Sequence, residues 1–181
     1  MSEIDVDVLH ALYALRDPAA LQVFVWITEL GSTLVIGGIA LCVGLCLLSR
    51  ARLAYFAGLC VSVMGTVAVV FLLKEIVARA RPDVLYQVYA EDSFAFPSGH
   101  AALSLALYGF LSYLAWKTLP RNRAVIASCA AALLIGLIGF SRLYLGLHYA
   151  SDVAGGYAIG GAFLALGILL AERLKRHPIL S

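Results

Sequence analysis

Charged residues are scarce in this sequence. Of its 181 residues, 62% are hydrophobic and only 13% are aspartate, glutamate, lysine or arginine. A soluble domain carries charge on about a quarter of its residues. The composition therefore excludes an ordinary soluble domain and indicates an integral membrane protein. The length suits one bundle of membrane spans, so we predict a single domain over residues 1–181.

Cysteine, the residue of disulfide scaffolds and many metal sites, is also rare. All four cysteines lie inside apolar runs, and none has metal-ligand spacing with a histidine: Cys42, Cys46, Cys60 and Cys129. Free cysteine packs as a small apolar residue in such positions. The sequence therefore predicts no disulfide framework.

Long apolar runs separated by polar loops predict an all-α, polytopic membrane helix bundle. A helix needs roughly 20 apolar residues to cross the hydrocarbon core. We predict five spans at residues 33–48, 53–73, 98–116, 124–140 and 150–171. Residues 1–18 predict an N-terminal amphipathic helix at the membrane interface. Residues 19–30 are apolar but short, which predicts a half-buried helix and leaves a sixth span open.

Basic residues are distributed unevenly between the two ends of these spans. One end receives eight of them: Arg50, Arg52, Lys117, Arg121, Arg123, Arg173, Lys175 and Arg176. The other end receives five: Arg16, Lys74, Arg79, Arg81 and Arg142. The positive-inside rule assigns the first end to the cytoplasm. We therefore expect the polar segments of the second end to face the periplasm or the cell exterior.

Two cations follow the second predicted span. Lys74 and Arg81 are seven residues apart, about two helical turns, so they would share a helix face if the helix continued. Pro82 indicates that the helix ends at or before Arg81. Paired cations favour an anion with several oxygens, such as phosphate. The alternative is a pair that snorkels to lipid headgroups.

Residues 97–100 read Pro-Ser-Gly-His and open the third predicted span. Free N–H groups and the helix dipole favour an anion at such an N-terminus, here at Ser98 and Gly99. The missing side chain of Gly99 lets a ligand approach the backbone. His100 in the first turn could donate a proton to a leaving oxygen. The alternative is a plain Ser98 N-cap beside an uninvolved histidine.

The stretch 141–152 reads SRLYLGLHYASD and places three ionisable residues between apolar runs. Such residues at the margin of a span usually serve function. His148 and Asp152 are four apart, which favours one helix face. A carboxylate on one imidazole nitrogen makes the other nitrogen a better nucleophile. Arg142 would point about 120° away on a continuous helix, so we expect a break near Gly146. The alternative is a structural His–Asp pair at a helix start.

These segments together fit phosphoryl transfer. Three cations would neutralise the charge on the transferred group. His148 would attack phosphorus and form a phosphohistidine, with Asp152 orienting it and His100 protonating the leaving group. The acidic residues of segment 83–97 are scattered, so we expect no metal requirement.

The motifs K-x6-RP, PSGH and SR-x5-H-x3-D occur complete and in order between residues 74 and 152. In this the chain resembles the type 2 phosphatidic acid phosphatase (PAP2) superfamily of membrane phosphatases. The resemblance implies an all-α bundle and cofactor-free, metal-independent dephosphorylation of lipid phosphates or diphosphates. It implies phosphate binding by Lys74, Arg81, Ser98, Gly99 and Arg142. It implies catalysis by His148, His100 and Asp152.

The resemblance also implies a multi-pass protein of a bacterial inner membrane, with undecaprenyl diphosphate at the outer face as the expected substrate. Phosphatidylglycerophosphate, lipid A phosphates and a phosphotransferase reaction are alternatives within the family. A carrier that only binds anionic lipid is a different class, but binding alone needs no oriented imidazole. The expected partners are the lipid phosphate and membrane lipids, with no nucleic acid. The oligomeric state stays open.

Overall fold

A computed structural model describes residues 3–176, and within that range every regular element is helical. The α-helices are α1 Glu3–Ala14, α2 Pro18–Glu29, α3 Thr33–Ser49, α4 Leu53–Val77, α5 Gly99–Thr118, α6 Arg121–Tyr144 and α7 Ala150–Lys175. A single 3₁₀ turn, Val84–Tyr86, lies between α4 and α5. The predicted all-α fold class is confirmed.

Four stretches of the described chain are long and apolar enough to cross a membrane. They are Pro18–Ser49, which joins α2 to α3, and the helices α4, α6 and α7. The remaining predicted span, α5, is not among them. Its 20 residues would rise about 30 Å, so its length is sufficient. Because α4, α6 and α7 all pack against it, α5 presents little of its surface to lipid.

The helix predicted for residues 19–30 is α2, which is partly buried and ends before a turn at residues 30–32. Asp17 caps it by accepting hydrogen bonds from two backbone N–H groups, and Pro18 occupies its first position. Phe24 packs against the rings of Phe140 and Tyr144 near the end of α6. Helix α2 therefore lies across the end of α6, and the chain then enters α3.

Helices α4, α5 and α7 approach one another closely through small residues. A Cβ added to Gly160 of α7 would lie 2.2 Å from the carbonyl oxygen of Ala102 on α5. A Cβ added to Gly58 of α4 would lie 2.6 Å from the carbonyl oxygen of Gly167. Small residues allow such backbone contact, which favours helix association in membranes.

The two ends of the bundle differ in chemistry. At one end Lys117 pairs with Glu172 at 2.6 Å, and Lys175 lies over the ring of Tyr55. The opposite end gathers the segment between α4 and α5 and the turn between α6 and α7. All three sequence motifs lie at this opposite end, as predicted.

Helix α1 packs onto the motif end and is the amphipathic helix predicted for residues 1–18; residues 1 and 2 lie outside the described residues. Asp5 and Leu9 are its buried positions. Just beyond α1, Arg16 donates hydrogen bonds to the carbonyl oxygens of Tyr144, at 2.9 Å, and Tyr86, at 2.7 Å. The N-terminal segment thus joins the end of α6 to the loop that follows α4.

The close approach of α5 and α7 gives a stability prediction. In Gly160→Ala the new methyl group would meet a backbone oxygen, and such overpacking costs about 1–3 kcal/mol. The matched variant Gly161→Ala meets only the Leu105 side chain, at 3.5 Å. We expect thermal unfolding in detergent to occur at a lower temperature for Gly160→Ala and to be unchanged or higher for Gly161→Ala. Equal unfolding temperatures would contradict the backbone contact.

Candidate active site

A cavity of about 320 Å³ opens at the motif end, between α4 and α5. Its wall near α4 is apolar and includes Val67, Val70 and Phe71. The rest of its lining includes Thr33, Lys74, Arg81, Glu91, Ser93, Gly99, His100 and His148. The cavity thus brings residues of all three motifs together beside an apolar surface.

Lys74 and Arg81 both reach this cavity, but not from one helix. Helix α4 ends at Val77, and Ala78 adopts a left-handed conformation with φ 45°. The predicted helix end at or before Arg81 is therefore confirmed, and the two cations share no helix face because the chain leaves the helix before Arg81. The two cations converge on Ser93 instead: its hydroxyl accepts from Lys74 Nζ at 3.3 Å and from Arg81 Nη2 at 2.9 Å.

Arg142 lies behind the cavity and is fully buried. Its Nη1 donates to Thr28 Oγ1 at 3.0 Å and to the Tyr89 hydroxyl at 2.9 Å. Its Nη2 donates to the carboxylate of Glu91. Glu91 lines the cavity whereas Arg142 does not, so Glu91 separates this guanidinium from the open space.

Glu91 bridges two of the predicted phosphate-binding cations. One carboxylate oxygen pairs with Arg142, and the other lies 2.5 Å from Arg81 Nη2. Burial alone would raise the pKa of Glu91, but the charges of Arg142 and Arg81 and the Arg142 hydrogen bond lower it to about 2. Glu91 is thus an ionised carboxylate at neutral pH. Sequence reasoning missed it, because it lies in a loop without periodicity.

The Pro-Ser-Gly-His segment places the N-terminus of α5 at the cavity. Ser98 is the N-cap residue, yet its side chain accepts no capping hydrogen bond. Its hydroxyl is buried and bonds no group within residues 3–176. A plain capping role therefore does not explain Ser98. A Cβ on Gly99 would meet only Val70, at 3.7 Å, so the first turn of α5 has open space in front of it.

The break predicted near Gly146 is present. Helix α6 ends at Tyr144, and Gly146 adopts φ +69°. A Cβ at Gly146 would lie 2.0 Å from the carbonyl oxygen of Tyr86, so both the conformation and the space require glycine. This turn lets Arg142 on α6 and His148 after it point to the same region.

His148 precedes α7 rather than sharing a helix face with Asp152, which differs from the expectation. Asp152 lies in the first turn of α7, and its Oδ2 accepts from the backbone N–H of Tyr149 at 2.8 Å. The same oxygen is 3.6 Å from His148 Nδ1, which is longer than a hydrogen bond. The cap of α7 therefore brings the carboxylate and the imidazole together.

Arg81 determines which ring nitrogen of His148 carries the proton. Arg81 Nη1 lies 3.2 Å from His148 Nε2. Because a guanidinium only donates hydrogen bonds, Nε2 accepts, and the imidazole proton belongs on Nδ1, on the side of Asp152. Burial lowers the pKa of His148, and the charges of Arg142, Arg81 and Lys74 lower it further. His148 is thus a neutral imidazole whose lone pair is on Nε2.

Parts of this chain are similar in sequence to known phosphatases. Phosphatidylglycerophosphatase B of Bacillus subtilis is 36% identical over 108 residues, which cover 58% of this chain and 52% of that protein. Lipid A 1-phosphatase of Rhizobium etli is 35% identical over 112 residues, covering 56% of this chain and 44% of that one. The chain therefore spans about half the length of these curated relatives.

The crystal structure of a transmembrane PAP2-type phosphatidylglycerolphosphate phosphatase from Bacillus subtilis has a similar fold. The TM-score is 0.86 at 29% identity, over 96% of this chain and 87% of that one. Residues 55–176, well over half of the chain, match the family model described as the PAP2 superfamily, and this range contains all three motifs. The chain belongs to the PAP2 superfamily.

Proposed function

We propose that this protein is a membrane lipid phosphatase that works through a phosphohistidine at His148. The observation that carries the proposal is the state of that imidazole. Its Nε2 lone pair faces a cavity lined by Lys74 and Arg81 and accepts from Arg81 Nη1 at 3.2 Å, a hydrogen bond that opens when Nε2 attacks phosphorus. Its Nδ1 faces the carboxylate of Asp152 at 3.6 Å. An imidazole so oriented is a nucleophile beside a site for a polyanion.

The reaction divides into two balanced steps. His148 Nε2 attacks phosphorus, the P–N bond forms, and the P–O bond to the leaving group breaks. His100 enters this step as an imidazolium, stabilised by the charge of the bound phosphate, and gives its proton to the departing oxygen. Asp152 stabilises the imidazolium ring of His148 through Nδ1–H. His100 then takes a proton from water, whose oxygen attacks phosphorus. The P–N bond breaks, inorganic phosphate leaves, and His148 is neutral again.

The cationic groups of this cavity would stabilise the negative charge of the phosphoryl group in the transition state. Lys74 and Arg81 line the cavity directly, and the first turn of α5 adds backbone N–H groups at Ser98 and Gly99. These groups carry the positive charge that phosphoryl transfer requires, so we propose turnover without an added metal. For Arg142 to reach the phosphate, the carboxylate of Glu91 must first leave its guanidinium.

An apolar groove supports a lipid as the carrier of the phosphate. The groove runs between α3 and α4 with a volume of about 420 Å³, and its lining includes Gly44, Phe56, Met64 and Val67. Val67 also lines the cavity of the candidate active site. A hydrocarbon chain in the groove would therefore extend directly from a phosphate held by Lys74 and Arg81.

Two substrates have specific support. Phosphatidylglycerophosphate is favoured by the relatives from Bacillus subtilis, one at 36% sequence identity and one with a TM-score of 0.86. Undecaprenyl diphosphate, the substrate expected from the sequence, is favoured by the apolar lining of the groove and by the outward orientation proposed below. We propose the outer surface of a bacterial inner membrane as the place of action, because the motif end carries fewer basic residues.

Phosphate release should be independent of added metal. We expect protein purified in detergent to release phosphate in the presence of EDTA from one or more of phosphatidylglycerophosphate, undecaprenyl diphosphate, phosphatidic acid and lipid A. Relative kcat/KM values across this panel identify the substrate. Activity that EDTA abolishes and magnesium restores would contradict the proposed chemistry.

His148→Gln should lower kcat at least about 1,000-fold, because no nucleophile remains. His100→Gln should slow turnover while phosphate still accumulates on the protein, detectable with ³²P-labelled substrate. The matched control is His10→Gln, since His10 lies exposed on α1, outside the cavity, with its Nε2 3.0 Å from the Tyr86 hydroxyl. Near-normal turnover by His148→Gln would show that the nucleophile is assigned to the wrong residue.

Cysteine labelling tests the sidedness. Val84→Cys places a thiol on the exposed turn after α4, and we expect an impermeant thiol reagent to label it in intact cells. Asn122→Cys, exposed at the start of α6 at the opposite end, should be labelled only after lysis. The parent protein, whose own cysteines lie in the spanning helices, sets the background. The reverse labelling pattern would invert the proposed orientation.

A further inference from the structure

A buried carboxylate connects helix α1 to the candidate active site. Asp5 is only 2% exposed. Its Oδ1 accepts from the backbone N–H of Ser151 at 2.9 Å. Its Oδ2 accepts from the Ser151 hydroxyl at 2.8 Å and from Arg79 Nη2 at 2.9 Å. Aspartate is rarely so buried unless it is paired, and here it contacts the first turn of α7.

Arg79 carries this connection onward to Asp152. Its Nη1 donates to Asp152 Oδ1 at 2.6 Å and to the Ser151 hydroxyl at 2.7 Å. Its guanidinium also lies over the ring of Tyr149, 4.6 Å from the centroid. The two ends of one guanidinium fork therefore hold two carboxylates, one from α1 and one from α7. Neither Asp5 nor Arg79 belongs to the predicted set of site residues.

The network fixes both oxygens of the Asp152 carboxylate. Arg79 binds Oδ1, and the backbone N–H of Tyr149 binds Oδ2. With both bonds in place, the carboxylate cannot rotate, and Oδ2 stays on the side of His148 Nδ1. Without Arg79, two carboxylates would face each other across Ser151, and repulsion between like charges would favour rotation of Asp152.

We propose that Asp5 and Arg79 are positioning residues that hold Asp152 toward His148, so that helix α1 is a working part of the catalytic apparatus. This inference rests on the proposed function, because it assigns Asp5 and Arg79 to the orientation of the same nucleophile. The charged and titratable groups that surround Asp152 include Arg79 after α4, Asp5 on α1, and His148 and Tyr149 before α7. The charges of Lys74 and Arg81 also act on it. Phosphate binding by Lys74 and Arg81 does not involve Asp5 or Arg79.

Steady-state kinetics separate positioning from binding. With the best substrate of the lipid panel, we expect Asp5→Asn and Arg79→Gln to lower kcat about 10–100-fold, the range typical of groups that orient a functional ligand. KM should stay within about twofold, since the phosphate-binding cations are untouched. Arg79→Lys keeps the charge but loses the fork and should recover part of kcat. Asp7→Asn, the same charge change at an exposed position of α1, should match the parent.

A double-mutant comparison tests whether the effect passes through Asp152. In an Asp152→Asn background there is no carboxylate to orient, so adding Asp5→Asn should change kcat less than twofold. A purely structural role would lower kcat by the same factor in both backgrounds and would overturn the proposal. Thermal unfolding of every variant, with assays well below the unfolding temperature, excludes loss of folded protein as the cause.

Nuclear magnetic resonance provides a readout that does not depend on turnover. The ring ¹⁵N resonances of His148, assigned by their loss in His148→Gln, report which nitrogen carries the proton. We expect Nδ1–H in the parent and in both variants, because Arg81 still donates to Nε2. The Nδ1 resonance should shift in Asp5→Asn and Arg79→Gln as Asp152 Oδ2 moves away from it; an unchanged Nδ1 resonance contradicts the proposal. Retained activity in His148→Gln overturns the proposed function itself. An inactive His148→Gln with normal kcat in Asp5→Asn overturns only the positioning role.

Discussion

Charge neutralisation without bulk water is the constraint on which this structure depends. At the motif end of the bundle, buried charges must find partners within the protein, because an unpaired buried charge is very costly. Glu91 therefore lies between Arg81 and Arg142, and Arg79 lies between Asp5 and Asp152. The positions of the loops follow from these pairs: segment 78–98 is folded back over the ends of α6 and α7, where its charged side chains find partners.

The two networks differ in their access to the cavity, and this difference gives them different roles. Glu91 lines the cavity and holds cations that would otherwise face an incoming phosphate. The Glu91 carboxylate therefore occupies the position beside Arg81 and Arg142 that the phosphate of the proposed substrate would take. The Asp152 carboxylate is sealed beneath His148 with both oxygens bonded. Under the proposed function, the first network exchanges partners with the phosphate, whereas the second network holds the geometry of Asp152.

The sequence predicted the architecture and the motif residues because both are recorded locally. The apolar runs predicted the helices. The direction in which Arg142 would point on a continuous helix predicted the break near Gly146. The order of spans and loops predicted that the three motifs lie at one end. Glu91 and Asp5 were not predicted, since Arg142, which Glu91 holds, lies 51 residues away and Ser151, which Asp5 holds, lies 146 residues away. No local spacing marks either carboxylate. Pro82 correctly predicted that α4 ends before Arg81, so Lys74 and Arg81 share no helix face. The two side chains instead meet at the hydroxyl of Ser93, which the fold of the loop places between them.

The central position of helix α5 has a consequence for how the site is held in the membrane. Helix α5 carries the Pro-Ser-Gly-His turn and packs against four neighbours, α3, α4, α6 and α7. Most residues of its first three turns are buried against protein, so its contacts are with other helices rather than with lipid. The depth of the Pro-Ser-Gly-His turn is therefore set by packing against protein rather than by the thickness of the surrounding bilayer.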